Sequence, residues 1–252
     1  MKNFGQAQRH LEIIGSTNDE AQRWALEGAP HGAVVRADEQ TQGRGRQGRD
    51  WCSPSGLGLY LSLILRPDIA LSQVPQLTML AALGAARAIE SETNLPANVK
   101  WPNDIVLRGR KIGGVLSEAR AREENPQRTD YVIVGIGLNV NFAREDLPRN
   151  VKIAATSLYM ETGHVRPLAN VVNTLLREIE TLYDEYSHGA WHELRAEFAR
   201  RDILQEQAVR VEAAGETYRG EANGIDDDGT LLVRTPGGVR RVVAGDVLLH
   251  LD

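Results

Sequence analysis

The residues of this 252-residue chain that could do chemistry fall into a few short stretches. Gly43-Arg44-Gly45-Arg46-Gln47-Gly48-Arg49 interleaves guanidinium groups with glycines. Glycine lets the backbone fold tightly over a ligand and present N–H groups to it, and an arginine fork engages phosphate or carboxylate through paired hydrogen bonds. Lys100-Trp101-Pro102-Asn103-Asp104 sets an ammonium and a carboxylate on either side of a turn sequence. Arg110-Lys111-Ile112-Gly113-Gly114 and Gly135-Ile136-Gly137-Leu138-Asn139 carry glycines inside strand-like runs, where glycine costs stability unless something approaches closely. Ser16-Thr17-Asn18 and Gln40 add neutral hydrogen-bonding groups. The chemistry implied is the positioning and stabilising of negative charge. His10, His31, His164, His188, His192 and His250 show no metal-ligand spacing, and Cys52 has no His/Asn partner pattern that would make it a nucleophile.

Gly43-x-Gly45-x-x-Gly48 matches the dinucleotide-binding pattern G-x-G-x-x-G, but that fingerprint needs a helix directly after its glycines to hold the pyrophosphate. Here Asp50-Trp51-Cys52-Ser53-Pro54-Ser55-Gly56 follows, which is no helix. Taken alone, the segment fits either a solvated surface loop or an isolated RNA-binding Arg-Gly loop.

The elements that must position these groups follow from periodicity. Thr17 and Glu20 form a capping box, predicting a helix with Thr17 as its cap that stops at Gly28. Ala33–Val35 reads as a strand, and Leu57, Leu59, Leu61, Leu63 and Leu65 alternate as a second one. Leu77, Leu80, Ala81, Gly84 and Ala88 repeat at helical spacing and predict a small-residue helix packed closely on the sheet. Strands are expected at Val99–Trp101, Ile105–Leu107, Ile112–Ser117 and Tyr131–Val140, with a hairpin at Arg108-Gly109-Arg110. Apolar residues from Leu168 to Tyr186 form one long helical stripe, and another helix is expected near Trp191–Ala199. From Leu204 onward, five short strand-like pieces are separated by turns at Ala214-Gly215, Asp226–Gly229 and Pro236–Gly238, which predicts a small β-barrel.

Hydrophobic residues make up 42% of the chain and charged ones 25%, enough for an ordered core. A net charge of −5 argues against a general nucleic-acid binder. One cysteine excludes an internal disulfide framework. With no signal peptide and no apolar run long enough to span a bilayer, a cytoplasmic protein with no membrane partner is expected.

In series, Ser16-Thr17-Asn18, Gln40, the Arg-Gly loop, Trp51, Lys100–Asp104, Arg110–Glu118 and Gly135–Asn139 resemble the biotin–protein ligases (biotin–[acetyl-CoA-carboxylase] ligases) over nearly the whole chain. The resemblance implies an α+β fold: a mixed sheet with helices mainly on one face in residues 1–203, of the class II aminoacyl-tRNA synthetase/biotin ligase kind. An SH3-like barrel would occupy 204–252. It implies ATP- and Mg2+-dependent joining of biotin to a lysine of a biotin carboxyl carrier protein through biotinyl-5′-AMP. Some relatives carry an N-terminal DNA-binding domain. Only 15 residues precede Ser16 here, so no DNA partner is expected, and a homodimer is compatible with the resemblance.

The same resemblance distributes roles. Arg46, Lys111 and Asp104 are the expected catalytic residues. Ser16, Thr17, Asn18, Gln40, Arg44, Gly45, Arg46, Lys111, Gly114 and Gly137 are expected around biotin. Lys100, Asn103, Trp51 and Asn139 are expected at ATP or the adenylate, with Mg2+ carried by ATP and Asp104 its one candidate side chain. Asp104 could instead orient the accepting lysine. Two rivals remain: a lipoate–protein ligase, whose Arg-Arg-x-Ser-Gly-Gly-Gly motif is absent, and a non-catalytic nucleic-acid binder using the Arg-Gly loop.

Overall fold

The computed structural model describes residues 4–147, 154–213 and 215–249. Its first sheet is built from β1 (Gln8–Ile14), β2 (Ala33–Gln40), β3 (Gly58–Leu65), β4 (Ala97–Lys100), β5 (Asp104–Leu107), β6 (Arg110–Ala121) and β7 (Thr129–Asn139). The spatial order is β1-β2-β3-β7-β6-β5-β4, parallel between β1 and β2 and antiparallel elsewhere. Five helices accompany it: α1 (Thr17–Leu26), α2 (Val74–Thr93), α3 (Leu158–Thr162), α4 (Leu168–Ser187) and α5 (Trp191–Arg201). On one face, Ala21 and Ala25 of α1 pack with Val35, Ile64 and Ile133. The opposite face carries the main core, where Leu61, Leu63, Ile105 and Val134 meet α2, α4 and α5. The expected mixed sheet with helices mainly on one face is therefore present. Gly84 of α2 serves a helix contact more than the sheet. A Cβ there would lie 2.7 Å from Ile179 Cγ1 of α4.

Two local devices aim side chains at the site. Arg108 and Gly109 both adopt positive φ (49° and 73°), which suits the tight two-residue turn between β5 and β6. The register between these strands then slips: Ile105 faces Gly113, but Val106 faces Lys111, leaving Ile112 as the extra residue of a bulge. Side chains alternate along a strand. Without the bulge Lys111 would share the core face of Ile105 and Leu107. With it, Lys111 shares the face of Asp104.

The C-terminal strands are β8 (Ala208–Ala213), β9 (Glu216–Ile225), β10 (Leu231–Thr235), β11 (Gly238–Val242) and β12 (Asp246–Leu249). All five expected strands are present, but the SH3-like barrel is not. The sheet runs β11-β10-β9-β8-β12, with β11 and β12 at opposite edges, so it stays open. Its apolar residues show why closure on itself is unnecessary. Val209, Val211, Ala222, Leu231, Val233 and Val247 join the same continuous core as α2 and α5. The Asp226–Gly229 turn completes the junction: Gln76 donates to the Asp227 carbonyl at 3.1 Å and Trp101 Nε1 to the Gly229 carbonyl at 2.9 Å. Of the expected Ala214-Gly215 turn, Ala214 lies outside the described residues, as does His250.

Candidate active site

The neutral end of the site forms where β1 hands the chain to α1. Ser16 takes the N-cap position with extended backbone and makes no capping hydrogen bond. Ser16, Thr17 and Asn18 are all buried. The expected Thr17 cap is thus replaced by a different use of its hydroxyl. Thr17 N–H and Oγ1 both reach Gln40 Oε1, at 2.9 and 3.0 Å. Gln40 Nε2 donates to Ser53 Oγ at 3.0 Å, and Ser53 donates to the Trp51 carbonyl at 3.0 Å. Ser62 of β3, fully buried, lies 2.8 Å from Thr17 Oγ1 and 2.6 Å from Asn18 Oδ1. Among the described residues the Ser16 hydroxyl has no hydrogen-bond partner, which leaves it to a ligand.

Asn18 is turned away from this opening. Its Nδ2 donates to Glu118 Oε2 at 2.6 Å, and a Cβ on Gly135 would fall on its amide. The strand glycines are explained the same way. On Gly137 a Cβ would strike the Trp51 indole, and on Gly113 it would lie 2.8 Å from the Gly137 carbonyl. The close approach that the sequence signals at these positions is made by the protein's own groups. Gly114 and Gly45 differ, since a Cβ on either would meet only ordinary contacts, at 3.6 and 3.5 Å.

The charged end lies across Trp51. Lys111 Nζ stands 5.7 Å from the centroid of the Trp51 ring and 2.5 Å from Asp104 Oδ1. Its backbone is held on the β6 edge by the segment after the undescribed residues: Lys111 N–H donates to the Ala154 carbonyl and Thr156 N–H to the Lys111 carbonyl, both at 2.9 Å. Lys100 is only 7% exposed, and its ammonium has no hydrogen bond or ion pair among the described residues. Burial pushes the Lys100 ammonium down from its usual range, Asp104 pulls it back and Lys111 lowers it further. Asn103, also buried, donates to the Val115 carbonyl at 2.7 Å and accepts from Arg46 Nη1 at 3.3 Å.

The Arg-Gly loop closes on itself as a small hairpin. Trp51 N–H donates to the Gly43 carbonyl at 2.8 Å, Gly45 N–H to the Arg49 carbonyl at 2.7 Å, and Arg44 bridges Asp50. Gln47 (φ 57°) and Gly48 (φ 70°) turn the tip. The three guanidinium groups then part company. Arg44 grips Asp19 with both nitrogens, one at 2.9 Å, and that pair holds the Asp19 carboxyl below its usual range. Arg49 pairs with Asp246 of β12. Arg46 alone points inward, where burial is the main influence lowering its pKa. Asn139, expected at the adenylate, is buried and donates its Nδ2 to the Thr156 carbonyl at 3.0 Å.

The structure therefore gathers Ser16, Thr17, Gln40, Trp51, Arg46, Asn103, Asp104, Lys100 and Lys111 around one end of the sheet. Arg44, Asn18 and Asn139 are engaged in internal contacts. Sequence reasoning missed Ser62 and Asp202 and gave no role to Glu118, the last residue of the Arg110–Glu118 stretch. Asp202 is buried beneath the Lys100 turn, accepts from Trp101 N–H at 3.2 Å and Leu204 N–H at 3.1 Å, and is pushed up to about 6 by burial. Only an unexplained polar residue beside an apolar one hinted at each.

Comparison with known proteins joins this geometry to a family. Residues 11–139 match the biotin/lipoate A/B protein ligase family, and residues 206–249 match the biotin protein ligase C-terminal domain. The bifunctional ligase/repressor BirA of Bacillus subtilis is 38% identical over 246 residues, covering 98% of this chain and 75% of that protein. The biotin–[acetyl-CoA-carboxylase] ligase of Mycobacterium tuberculosis is 34% identical over 257 residues, covering 98% and 91%. The biotin protein ligase of Aquifex aeolicus, solved in complex with biotin and ATP, superposes with a TM-score of 0.83 at 29% identity, covering 98% of this chain and 100% of that one. Motif order, fold and these matches agree: the chain belongs to the biotin protein ligase family.

Proposed function

We propose that this biotin–protein ligase, which joins biotin to protein through an ATP-derived biotinyl-5′-AMP, seats the ureido ring at Ser16, Thr17 and Gln40. The biotin tail then runs past Trp51 toward Arg46 and Lys111. The observation that carries this reading is the gradient across Trp51, from neutral hydrogen-bonding groups on one side to buried, under-paired cations on the other. A ureido ring needs neutral donors and acceptors. A carboxylate brought against a triphosphate needs cations.

In the first step the biotin carboxylate oxygen bonds to the α-phosphorus and pyrophosphate leaves. Lys111 stabilises the charge that builds between carboxylate and α-phosphate, Arg46 binds the carboxylate or phosphate oxygens, and Lys100 meets the triphosphate. Asp104 holds Lys111 in place. In the second step a lysine amine of a biotin carboxyl carrier protein attacks the acyl carbon and AMP leaves. Among the described residues no three His, Cys, Asp or Glu side chains gather into a metal cage. The single carboxylate of Asp104 fits Mg2+ that arrives with ATP, because Mg2+ keeps several waters and takes phosphate oxygens. When bound, it neutralises charge on the triphosphate.

ATP–pyrophosphate exchange tests the reading. Exchange is expected with biotin, and none with lipoate or with biotin amide, whose tail has no carboxylate. Equal exchange with lipoate would overturn it. Arg46→Gly is expected to release biotinyl-5′-AMP faster than the wild type does, and equal release rates would remove Arg46 from the adenylate.

A further inference from the structure

Three side-chain contacts link the ureido end of the site to β6: Thr17 Oγ1 to Gln40 Oε1, Ser62 Oγ to Thr17 Oγ1, and Ser62 Oγ to Asn18 Oδ1. All three join oxygen to oxygen, yet the two hydroxyls supply only two protons. Which contact goes without a proton depends on how Asn18 is turned, and its neighbours at the far end are Glu118, 2.6 Å from Asn18 Nδ2, and the Leu116 carbonyl, at a longer 3.4 Å. We propose that Glu118 is a positioning residue that sets the direction of this hydrogen-bond chain, and so keeps the Thr17 oxygen open as an acceptor for a ligand N–H. The inference rests on the placement of the ureido ring given above.

The direction follows from what each group can do. A carboxylate only accepts, so Asn18 must turn its NH2 toward Glu118 and its Oδ1 toward Ser62. An amide oxygen only accepts as well, so the Ser62 proton goes to Asn18. Thr17 then receives no proton from Ser62. Its own proton goes to Ser62 or Gln40, one lone pair faces the other of those two oxygens, and the Thr17 oxygen accepts from no protein side chain. Gln40 cannot reverse this, because its Oε1 is fixed by Thr17 N–H at 2.9 Å and its Nε2 by Ser53 at 3.0 Å. Suppose instead that a neutral amide stood at position 118. Asn18 could then turn round, giving up its long contact with the Leu116 carbonyl, with Oδ1 toward that amide and Nδ2 toward Ser62. The Ser62 proton would swing to Thr17, whose proton would go to Gln40, and the Thr17 oxygen would already be accepting from the protein when the ligand N–H arrives. Gly135 leaves room for the Asn18 amide itself, where any Cβ would strike it.

Titration calorimetry with biotin on four variants tests the chain, alongside KM for ATP and thermal unfolding. Glu118→Gln is nearly isosteric and is expected to weaken biotin binding about tenfold, the factor carried by one hydrogen bond of ordinary net worth, with KM for ATP unchanged. Adding Asn18→Asp to it restores the direction, because the new carboxylate at position 18 accepts both from the amide introduced at position 118 and from Ser62. The double variant is therefore expected to bind biotin better than Glu118→Gln. Asn18→Asp alone sets two carboxylates together and is expected to be the weakest binder of these three. A merely structural role for Glu118 would give a double variant worse than either single one, and that result overturns the proposal, as does normal biotin affinity in Glu118→Gln. Gln40→Ala separates the two levels. If it leaves biotin affinity intact, the ureido ring sits elsewhere and the placement itself fails. If it weakens binding while Glu118→Gln does not, only the role of Glu118 fails.

Discussion

The two sides of Trp51 treat hydrogen bonding in opposite ways. On the neutral side, Thr17, Gln40, Ser53, Ser62, Asn18 and Glu118 are tied to one another in a chain of contacts between 2.6 and 3.0 Å. On the charged side, among the described residues, Lys100 is buried with its ammonium unpaired, Arg46 hydrogen-bonds only to a neutral amide oxygen at 3.3 Å, and a single carboxylate, Asp104, serves Lys111. Buried polar groups normally find partners, and an unpaired buried charge is destabilising. The first side is preorganised for a neutral ring whose shape is constant. The second holds back its partners for anions that arrive with the substrates, at the expense of folding stability.

The largest effect expected from this contrast is at Lys111. Lys111→Ala removes a fixed cation where two anions are forced together, and such a loss typically costs about 2.7–4 kcal/mol, roughly a hundred- to a thousand-fold in rate. Single-turnover formation of biotinyl-5′-AMP should fall by that factor while biotin binding through the neutral side changes far less. Normal adenylation in the variant would erase the distinction between the two sides.

The stability cost of the charged side is open to a pH measurement. Asp202, buried beside Lys100, is pushed up to about 6 from an ordinary carboxyl value of 3.8, chiefly by burial. A carboxyl whose pKa is higher in the folded state binds its proton more tightly there. Its contribution to stability is complete below the unfolded pKa and is lost as pH rises toward about 6, by roughly 3 kcal/mol in all. Asp202→Asn keeps an oxygen for Trp101 N–H and Leu204 N–H but cannot ionise. Urea unfolding from about pH 4.5 to 7.5 should therefore show the variant gaining on wild type as pH rises. Parallel curves would mean that this carboxyl behaves as an ordinary one.

On the neutral side the sensitive point is steric. Gly135→Ala drives a methyl group into the Asn18 amide, and overpacking of that kind typically costs about 1–3 kcal/mol. Because Asn18 anchors the hydroxyl chain, KM for biotin should rise while KM for ATP holds. Equal rises in both would mean that the chain does not end at the biotin side.

These contrasts also explain how far the sequence can be read. The apolar stripe from Leu168 to Tyr186 fixes its helix because one buried face imposes one period, whereas β3 is buried on both faces and alternates because its leucines line the main core while Ile64 packs against α1. β1 leaves no such signal, since Gln8–Ile14 is an edge strand with a largely exposed pattern. A barrel is the natural expectation for the C-terminal region because five short strands with turns between them look alike whether a sheet closes or not. What decides is where Val209, Val211, Val233 and Val247 find a partner, and that partner is α2 and α5, far away in sequence. The glycines signal close approach correctly, yet which group approaches is a tertiary fact. Trp51 reaches Gly137 and Asn18 reaches Gly135 across sheet neighbours. Glu118 closes the Arg110–Glu118 stretch with nothing to mark its role, Asp202 lies in no motif, and a bulge at Ile112, which turns Lys111 toward Asp104, leaves no mark in composition.

The smallest expected effect falls within the Arg-Gly loop, where two arginines only two positions apart have been given different surroundings. Arg46 is turned inward toward Asn103, whereas Arg44 grips Asp19 with side-chain exposures of 35% and 52%. An ion pair that wet is worth only about 0–1 kcal/mol, because water and salt screen it and two side chains lose freedom to form it. Arg44→Ala, Asp19→Ala and the double variant should therefore unfold within that range of wild type, with a coupling energy that shrinks further in high salt. Biotin binding should move little in any of them, since the pair anchors the foot of the loop to α1 and leaves the inward Arg46 in place. The family resemblance puts Arg44 against biotin, so the same three variants decide between the two readings. Should Arg44→Ala lose biotin affinity while Asp19→Ala retains it, Arg44 would have to leave Asp19 for the ligand when biotin binds. The division of labour between the two arginines would then hold only until biotin arrives.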